Sequence, residues 1–141
     1  LFVVDNRDGF WLRNEGGPGP VEAFPLPDGI SMLTSRNLSD NASPRVRHYL
    51  AQFEAASAPD PDSGDWATWE TLMSSRETLP GEGPDGAMAI LTDMGFETTS
   101  SSLIALPAPG RDLAPVWRFA AGIPTAGAYH PVALERLKAT G

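Results

Sequence analysis

Residues 32–45 read Met32-Leu33-Thr34-Ser35-Arg36-Asn37-Leu38-Ser39-Asp40-Asn41-Ala42-Ser43-Pro44-Arg45. Residues 30–34, of which Ile30, Met32 and Leu33 are apolar, predict a β-strand, and the polar residues that follow predict a turn. Ser43 is a favourable N-cap, and Pro44 suits the first helical position because the N–H that proline lacks would have no partner there. The stretch therefore predicts the point at which strands give way to helices.

Four short strands are predicted before the first helix, at residues 1–5, 10–13, 21–26 and 30–34. Asp8-Gly9 and Asp28-Gly29 lie between apolar runs and are hairpin signals, since glycine adopts positive φ without steric cost. The first two apolar runs are nearly continuous, which is typical of strands covered on both faces. The sequence therefore predicts an antiparallel four-stranded meander stacked on another layer.

Two helices are predicted after the stretch, at residues 44–56 and 66–76. The first has an apolar face at helical spacing, formed by Val46, Tyr49, Leu50 and Phe53. The second has a similar face, formed by Trp66, Trp69, Leu72 and Met73, and Asp65 can cap it. Core packing is the favoured role for both tryptophans, and ligand stacking is the alternative.

More strands are predicted in the last third of the chain. Residues 96–99 and 102–106 suggest one long strand, with residues 116–120 as its antiparallel partner. Residues 87–91 suggest a short strand or a helical turn, and residues 132–139 a terminal helix. The order of strands, two helices and further strands predicts an α+β fold in which stacked antiparallel sheets are flanked by helices.

The composition restricts the class of protein. The chain has 141 residues, which suits a single domain over residues 1–141. Its net charge of -8 argues against nucleic-acid binding, which requires a basic surface. No cysteine is present, and no apolar run reaches the length of a membrane helix, so we expect a soluble, cytoplasmic protein. Because Leu1 already lies in a predicted strand, we expect the N-terminal part of the domain to be missing.

No complete catalytic motif is found. The sequence has neither the Gly-x-Ser-x-Gly elbow nor the Gly-x-Gly-x-x-Gly fingerprint, and His48 and His130 have no second ligand at metal-binding spacing. Ser101, within the run 100–102, is a candidate contact residue. A serine nucleophile requires a neighbouring base, and none is evident, so cross-strand hydrogen bonding is the alternative role. We predict no catalytic residue and no metal site in this chain.

Thr34, Ser35 and Arg36 are the more suggestive candidates. They lie where the fourth predicted strand ends, and loops at strand ends often carry function. Arg36 can clamp a carboxylate through two parallel hydrogen bonds. The alternative is that these residues only pin the loop in place. We therefore predict supporting or ligand-contact roles for them.

Several segments occur in the order in which a known family carries them. They are Asn6-Arg7-Asp8-Gly9-Phe10-Trp11-Leu12-Arg13, Met32-Leu33-Thr34-Ser35-Arg36, Ala42-Ser43-Pro44-Arg45, Asp65-Trp66-x-x-Trp69, Ser100-Ser101-Ser102-Leu103-Ile104-Ala105-Leu106-Pro107 and Val116-Trp117-Arg118-Phe119-Ala120-Ala121-Gly122. Together they resemble the C-terminal half of bacterial NRDE-family proteins, which are homologues of the transport and Golgi organisation protein 2 family.

The resemblance implies an N-terminal-nucleophile-hydrolase-like αββα sandwich, of which this chain is the C-terminal part. The family carries a Cys near the N-terminus and an Asn-Arg-Asp-Glu motif in its first half, and neither is present here. Asn6-Arg7-Asp8 is not that motif, because it lies in a later hairpin and Gly9 replaces the Glu. Ser35 stands where relatives often have Asn, which weakens the transfer of a contact role to that position.

Three functional hypotheses remain open. The first is an amide hydrolase whose Cys nucleophile lies upstream. The second is a non-catalytic binding or trafficking protein, for which the resemblance implies haem or a lipid-like acyl ligand. The third is a structural unit without a small ligand. Fold alone does not choose among them, because function depends on the particular site.

Overall fold

The computed structural model describes residues 1–134, which form two antiparallel three-stranded sheets and two α-helices. In chain order the elements are β1 (Phe2–Val4), β2 (Gly9–Arg13), β3 (Glu22–Pro25), α1 (Pro44–Ala55), α2 (Ala67–Met73), β4 (Ser100–Ala105), β5 (Val116–Ala121) and β6 (His130–Pro131). The mixed α+β class predicted from the sequence is confirmed.

The first sheet has the order β1-β2-β3. Asp5 closes the β1–β2 turn, because its carboxylate accepts the N–H groups of Arg7 and Asp8 at 2.7 and 2.8 Å. Trp11 lies opposite Phe2 on one side and Phe24 on the other, and the Trp11 and Phe24 rings stack with centroids 4.8 Å apart. The three predicted strands are therefore confirmed, with their ladder centred on β2.

The predicted fourth strand at residues 30–34 is wrong. The N–H of Ser39 donates to the carbonyl of Met32 at 2.7 Å, and the N–H of Met32 donates to the Ser39 hydroxyl at 3.2 Å. The backbone N–H and C=O of Met32 therefore make hydrogen bonds within a local loop and do not pair with β3. A sheet of three strands results, not a four-stranded meander.

The prediction that the first strands are covered on both faces is also wrong within residues 1–134. No residue of β1, β2 or β3 is fully buried. Val3, Val4 and Phe10 are among the exposed large hydrophobic residues. Within residues 1–134, the near-continuous apolar runs of the first sheet are therefore not covered on both faces.

Helix α1 begins at Pro44 as predicted and buries Val46, Tyr49 and Phe53. Ser43 occupies the N-cap position, but its side chain makes no capping hydrogen bond. The hydroxyl of Tyr49 donates to the carbonyl of Glu77 at 2.7 Å, which ties α1 to the segment after α2.

Helix α2 is shorter than predicted and begins after Trp66. The Asp65 carboxylate accepts the N–H of Ala67 at 3.2 Å, so Asp65 does satisfy a free donor at the start of this helix. The rings of Phe53 and Trp69 meet edge to face, with centroids 5.2 Å apart. This contact joins the two helices.

The second sheet has the order β4-β5-β6, and the predicted antiparallel pairing of β4 with β5 is confirmed. One face of this sheet packs against α2 in a core cluster whose buried members are Trp66, Leu103, Ala120 and Tyr129. No residue of the first sheet belongs to this cluster. Trp66 is therefore a core residue, and half-buried Trp69 packs against the same cluster.

The predicted long strand is interrupted before β4. The N–H of Thr98 donates to the carbonyl of Ile90 at 2.9 Å, and Leu91 pairs with Glu97 in an isolated bridge. Residues 96–99 therefore fold back on residues 90–91. Residues 87–91, predicted as a short strand or a helical turn, form neither of these, apart from the single bridge at Leu91. In the predicted terminal helix, residues 132–134 are not helical, and residues 135–139 lie outside the described residues.

None of the helices in residues 1–134 combines the length and the apolar character that crossing a lipid bilayer requires.

Candidate functional site: a groove beside the loop 33–38

The loop 33–38 holds Thr34, Ser35 and Arg36 in a defined shape. The two hydrogen bonds between Met32 and Ser39 close its base. Ser39 has φ of 49°, in the left-handed region that non-glycine residues seldom adopt. The hydroxyl of Thr34 accepts the N–H of Arg36 at 3.3 Å, which bends the loop at its tip. The local sequence thus builds a short polar projection rather than a strand.

This loop forms one wall of an open groove of about 830 Å³. Strand β2 and its continuation form the other wall. The groove is lined by apolar side chains (Leu1, Trp11, Leu12, Val21, Leu33) and polar side chains (Arg13, Asn14, Glu15, Thr34, Ser35, Arg36, Asn37, Asp40). A volume in this range is typical of small-molecule sites. The groove therefore brings three of the four candidate residues together.

The positive charge of Arg13 is balanced by ion pairs with neighbouring carboxylates. Its guanidinium lies 2.6 Å from the Glu22 carboxylate and 3.5 Å from that of Glu15. The same group lies over the Phe24 ring, 5.2 Å from its centroid. The hydrogen bond to Glu22 raises the pKa of Arg13 above its usual value. Arg13 is thus held in place, with its charge balanced.

Arg36 differs from Arg13 in having no charged partner. It is exposed at the groove, and its guanidinium makes no hydrogen bond or ion pair with any residue of 1–134. Asp40 also lines the groove, but its carboxylate accepts the N–H of Ala42 at 2.8 Å. The guanidinium donors of Arg36, a residue that lines the groove, therefore have no partner within residues 1–134.

Ser101, the fourth candidate, lies in the second sheet and not in the groove. It is 8% exposed, and its hydroxyl accepts the Tyr129 hydroxyl at 2.7 Å. Burial raises the pKa of Tyr129, with a smaller opposing effect of the Ser101 hydrogen bond, so this phenol is a donor and not a base. This geometry matches the alternative role of Ser101 as a hydrogen-bonding residue of the sheet.

A buried polar cluster that the sequence did not suggest lies next to Tyr129. Glu70 on α2 is 6% exposed, and its carboxylate lies 2.7 Å from the guanidinium of Arg118 on β5. Its other oxygen accepts the N–H of Gly127 at 3.1 Å, and Arg118 donates to the Tyr129 carbonyl at 3.0 Å. These contacts join α2, β5 and the turn before β6, so the cluster is structural.

The groove does not suit haem. Haem iron is held in proteins by His, Cys, Met or Tyr side chains, and none of these lines the groove. In residues 1–134, no group of three or more His, Asp or Glu side chains is arranged to hold a metal ion. The groove offers instead an apolar wall with a cation at its edge.

The contribution of Trp11 and Arg13 to the groove was not predicted. Residues 10–13 have the pattern of an ordinary strand, and nothing local indicates that β2 meets the loop 33–38. Their meeting depends on how the chain returns after β3. No sequence signal short of a contact prediction could have placed them in the site.

Comparisons of this chain with protein-family models, with curated proteins and with solved structures find no match.

Proposed function

We propose that this chain binds a small amphipathic carboxylate, such as a fatty acyl ligand, without catalysing a reaction on it. The observation that carries the proposal is Arg36, an exposed guanidinium without a charged partner beside an apolar groove wall. A carboxylate can accept two parallel hydrogen bonds from such a group. The alkyl part of the ligand would lie against the apolar wall.

The apolar wall supports an acyl tail as the second half of the ligand. Trp11, Val21 and Leu33 line the groove together with Arg36. Each buried CH₂ group of a ligand contributes about 0.8 kcal/mol when it leaves water. A tail of several carbons therefore adds affinity that a free carboxylate such as acetate lacks.

The proposal extends to the family and the fold. We propose that the chain is the C-terminal part of an NRDE-like domain, with the two sheets belonging to an N-terminal-nucleophile-hydrolase-like sandwich. The order of strands, helices and strands supports this, as does the position of Thr34, Ser35 and Arg36 at a groove. The exposed apolar residues of the first sheet would then be covered by the N-terminal half of the domain.

The amide-hydrolase hypothesis stays a prediction about a longer protein. It requires a Cys upstream of Leu1, and a nucleophile requires a base beside it. Neither His48 nor His130 lines the groove, although Thr34 and Ser35 do. The residues of the groove therefore support binding more directly than catalysis.

The proposal is tested by titrating the chain with dodecanoate below its micelle-forming concentration and following tryptophan fluorescence and heat. We expect saturable binding at the groove. The fluorescence should report it, because Trp11 lines the groove. Arg36→Ala should weaken binding about tenfold, since a hydrogen bond to a charged group is worth about 1.5 kcal/mol or more. Arg7→Ala is the matched control, because it removes the same charge from the exposed β1–β2 turn.

Dodecanol separates the contribution of the carboxylate from that of the tail. The wild-type chain should prefer dodecanoate to dodecanol, and Arg36→Ala should lose that preference. Equal binding of the acid and the alcohol by the wild-type chain would contradict the proposed carboxylate clamp. Absence of any saturable binding would contradict the groove as an acyl site.

A further inference from the structure

Residues 1–134 contain four outer sheet edges, and three of them are protected against pairing. Strand β3 carries Glu22 and Pro25, two of the devices that block an edge. Strand β6 has only two residues, one of them Pro131, and β1 has only three residues. Short edges and edges with proline or charge seldom recruit another strand.

The outer edge of β4 has none of these protections. The strand spans the six residues Ser100–Ala105, and neither proline nor a charged residue occurs in it. Its ladder bonds go to β5, and no backbone group of another residue in 1–134 pairs with its outer side. The N–H and C=O groups on that side form a template for a further strand.

The side chains of β4 also suit a partner strand. Ser101 and Leu103 are buried beneath the sheet, whereas Ser100, Ser102 and Ile104 are exposed on the other face. Ile104 is 61% exposed although it is β-branched and apolar. No charged residue occurs anywhere between positions 98 and 110. The edge is therefore neutral, although the whole chain carries a net charge of -8.

We propose that β4 pairs antiparallel with β4 of a second copy of this chain. A two-fold axis perpendicular to the sheet keeps the buried side of both strands on one face, so the two sheets would join into one six-stranded sheet. The edge fits a second copy because the backbone groups of two antiparallel copies of one strand are complementary to each other, and no like charges are brought together. Such an isologous contact closes as a dimer.

Sedimentation velocity on the 141-residue chain tests the proposal at about physiological salt. We expect a monomer–dimer equilibrium that shifts with protein concentration. Ile104→Lys should raise the dimer dissociation constant at least about tenfold, because it places two cations near the same seam and is a known way to protect an edge. Ser102→Lys is a second exposed variant with the same expectation. Met94→Lys is the matched control, since Met94 is 91% exposed and lies outside the sheet.

Hydrogen exchange locates the interface. With rising protein concentration, alternate amides of β4 should become more protected, while the amides of β5 that already bond to β4 should change little. Circular dichroism of each lysine variant shows whether it is folded. A monomer at every concentration would overturn the proposal, and so would a dimer that both folded lysine variants leave intact.

Discussion

The buried charge of Glu70 makes the stability of the fold depend on its ion-pair partner, Arg118. Its carboxylate is 6% exposed and lies 2.7 Å from the Arg118 guanidinium. Removing Arg118 leaves a charge in the interior without its counter-ion, which typically costs about 3 kcal/mol or more. We therefore expect Arg118→Ala to lower the free energy of unfolding by about 3 kcal/mol in urea denaturation.

Arg111→Ala is the control for that measurement. Arg111 and Asp62 also form an ion pair, but both side chains are exposed and their charged atoms are 3.4 Å apart. Exposed pairs contribute about 0–1 kcal/mol, so this variant should change stability little. Equal losses of unfolding free energy in Arg118→Ala and Arg111→Ala would mean that the burial of Glu70 does not determine how much Arg118 contributes to stability. The double variant Glu70→Gln with Arg118→Ala should recover part of the loss, because no unpaired charge remains.

Tyr129 provides a pH-dependent prediction. Burial raises its pKa in the folded state, while the unfolded phenol titrates at about 10. The stability linked to the Tyr129 phenol is fully present below about pH 10. It is lost as the pH rises from there toward the pKa of Tyr129 in the folded state, because in that range the unfolded chain releases the phenol proton and the folded chain keeps it. Urea midpoints of the wild-type chain should therefore fall at alkaline pH.

Tyr129→Phe removes this titration. At neutral pH we expect it to cost about 1 kcal/mol, because the buried Ser101 hydroxyl loses its hydrogen-bond donor. Above about pH 10 its urea midpoint should fall less steeply than that of the wild-type chain. Parallel pH curves for the two chains would contradict the assignment of alkaline sensitivity to Tyr129.

The two helices differ in how their N-termini are satisfied. The sequence predicts that Ser43 caps α1, with a cost of about 1 kcal/mol for Ser43→Ala. Its side chain makes no capping bond, whereas the Asp65 carboxylate accepts an N–H at the start of α2. We now expect Asp65→Ala to lower the free energy of unfolding by about 1 kcal/mol and Ser43→Ala by less than about half of that. Urea denaturation with unchanged slopes checks this order, and the reverse order would contradict it.

The two sheets should differ in stability across the whole molecule. Strands β4 and β5 cover a core cluster with α2, whereas no residue of β1–β3 is fully buried. Regions with few buried apolar contacts open at lower free energy than the core. In native-state hydrogen exchange, the ladder amides of β2 should therefore exchange faster than those of β5. Equal protection of both ladders would show that the first sheet gains stability from contacts that its exposure does not reveal.

The sequence by itself determined the local elements. Helix α1 could be predicted because its apolar residues recur at helical spacing, and the β1–β2 hairpin because Asp8-Gly9 separates two apolar runs. The β4–β5 pair followed from two apolar runs joined by a turn-rich connection. Local pattern also indicates Thr34, Ser35 and Arg36 as candidate residues, because they are polar residues after an apolar run. Each of these signals lies within a few neighbouring residues.

Only the tertiary structure decided the remaining features, because they depend on residues far apart in the chain. Residues 30–34 form a loop and not the predicted strand, because both backbone groups of Met32 make hydrogen bonds with Ser39. The groove arose because the loop 33–38 returns to β2, and the buried pair arose because α2 packs on β5. Local pattern records which face of an element is apolar, but not which other element covers it. That choice depends on the packing of the whole chain. It separated Ser101 from the other candidate residues and left the outer edge of β4 without a partner strand among residues 1–134.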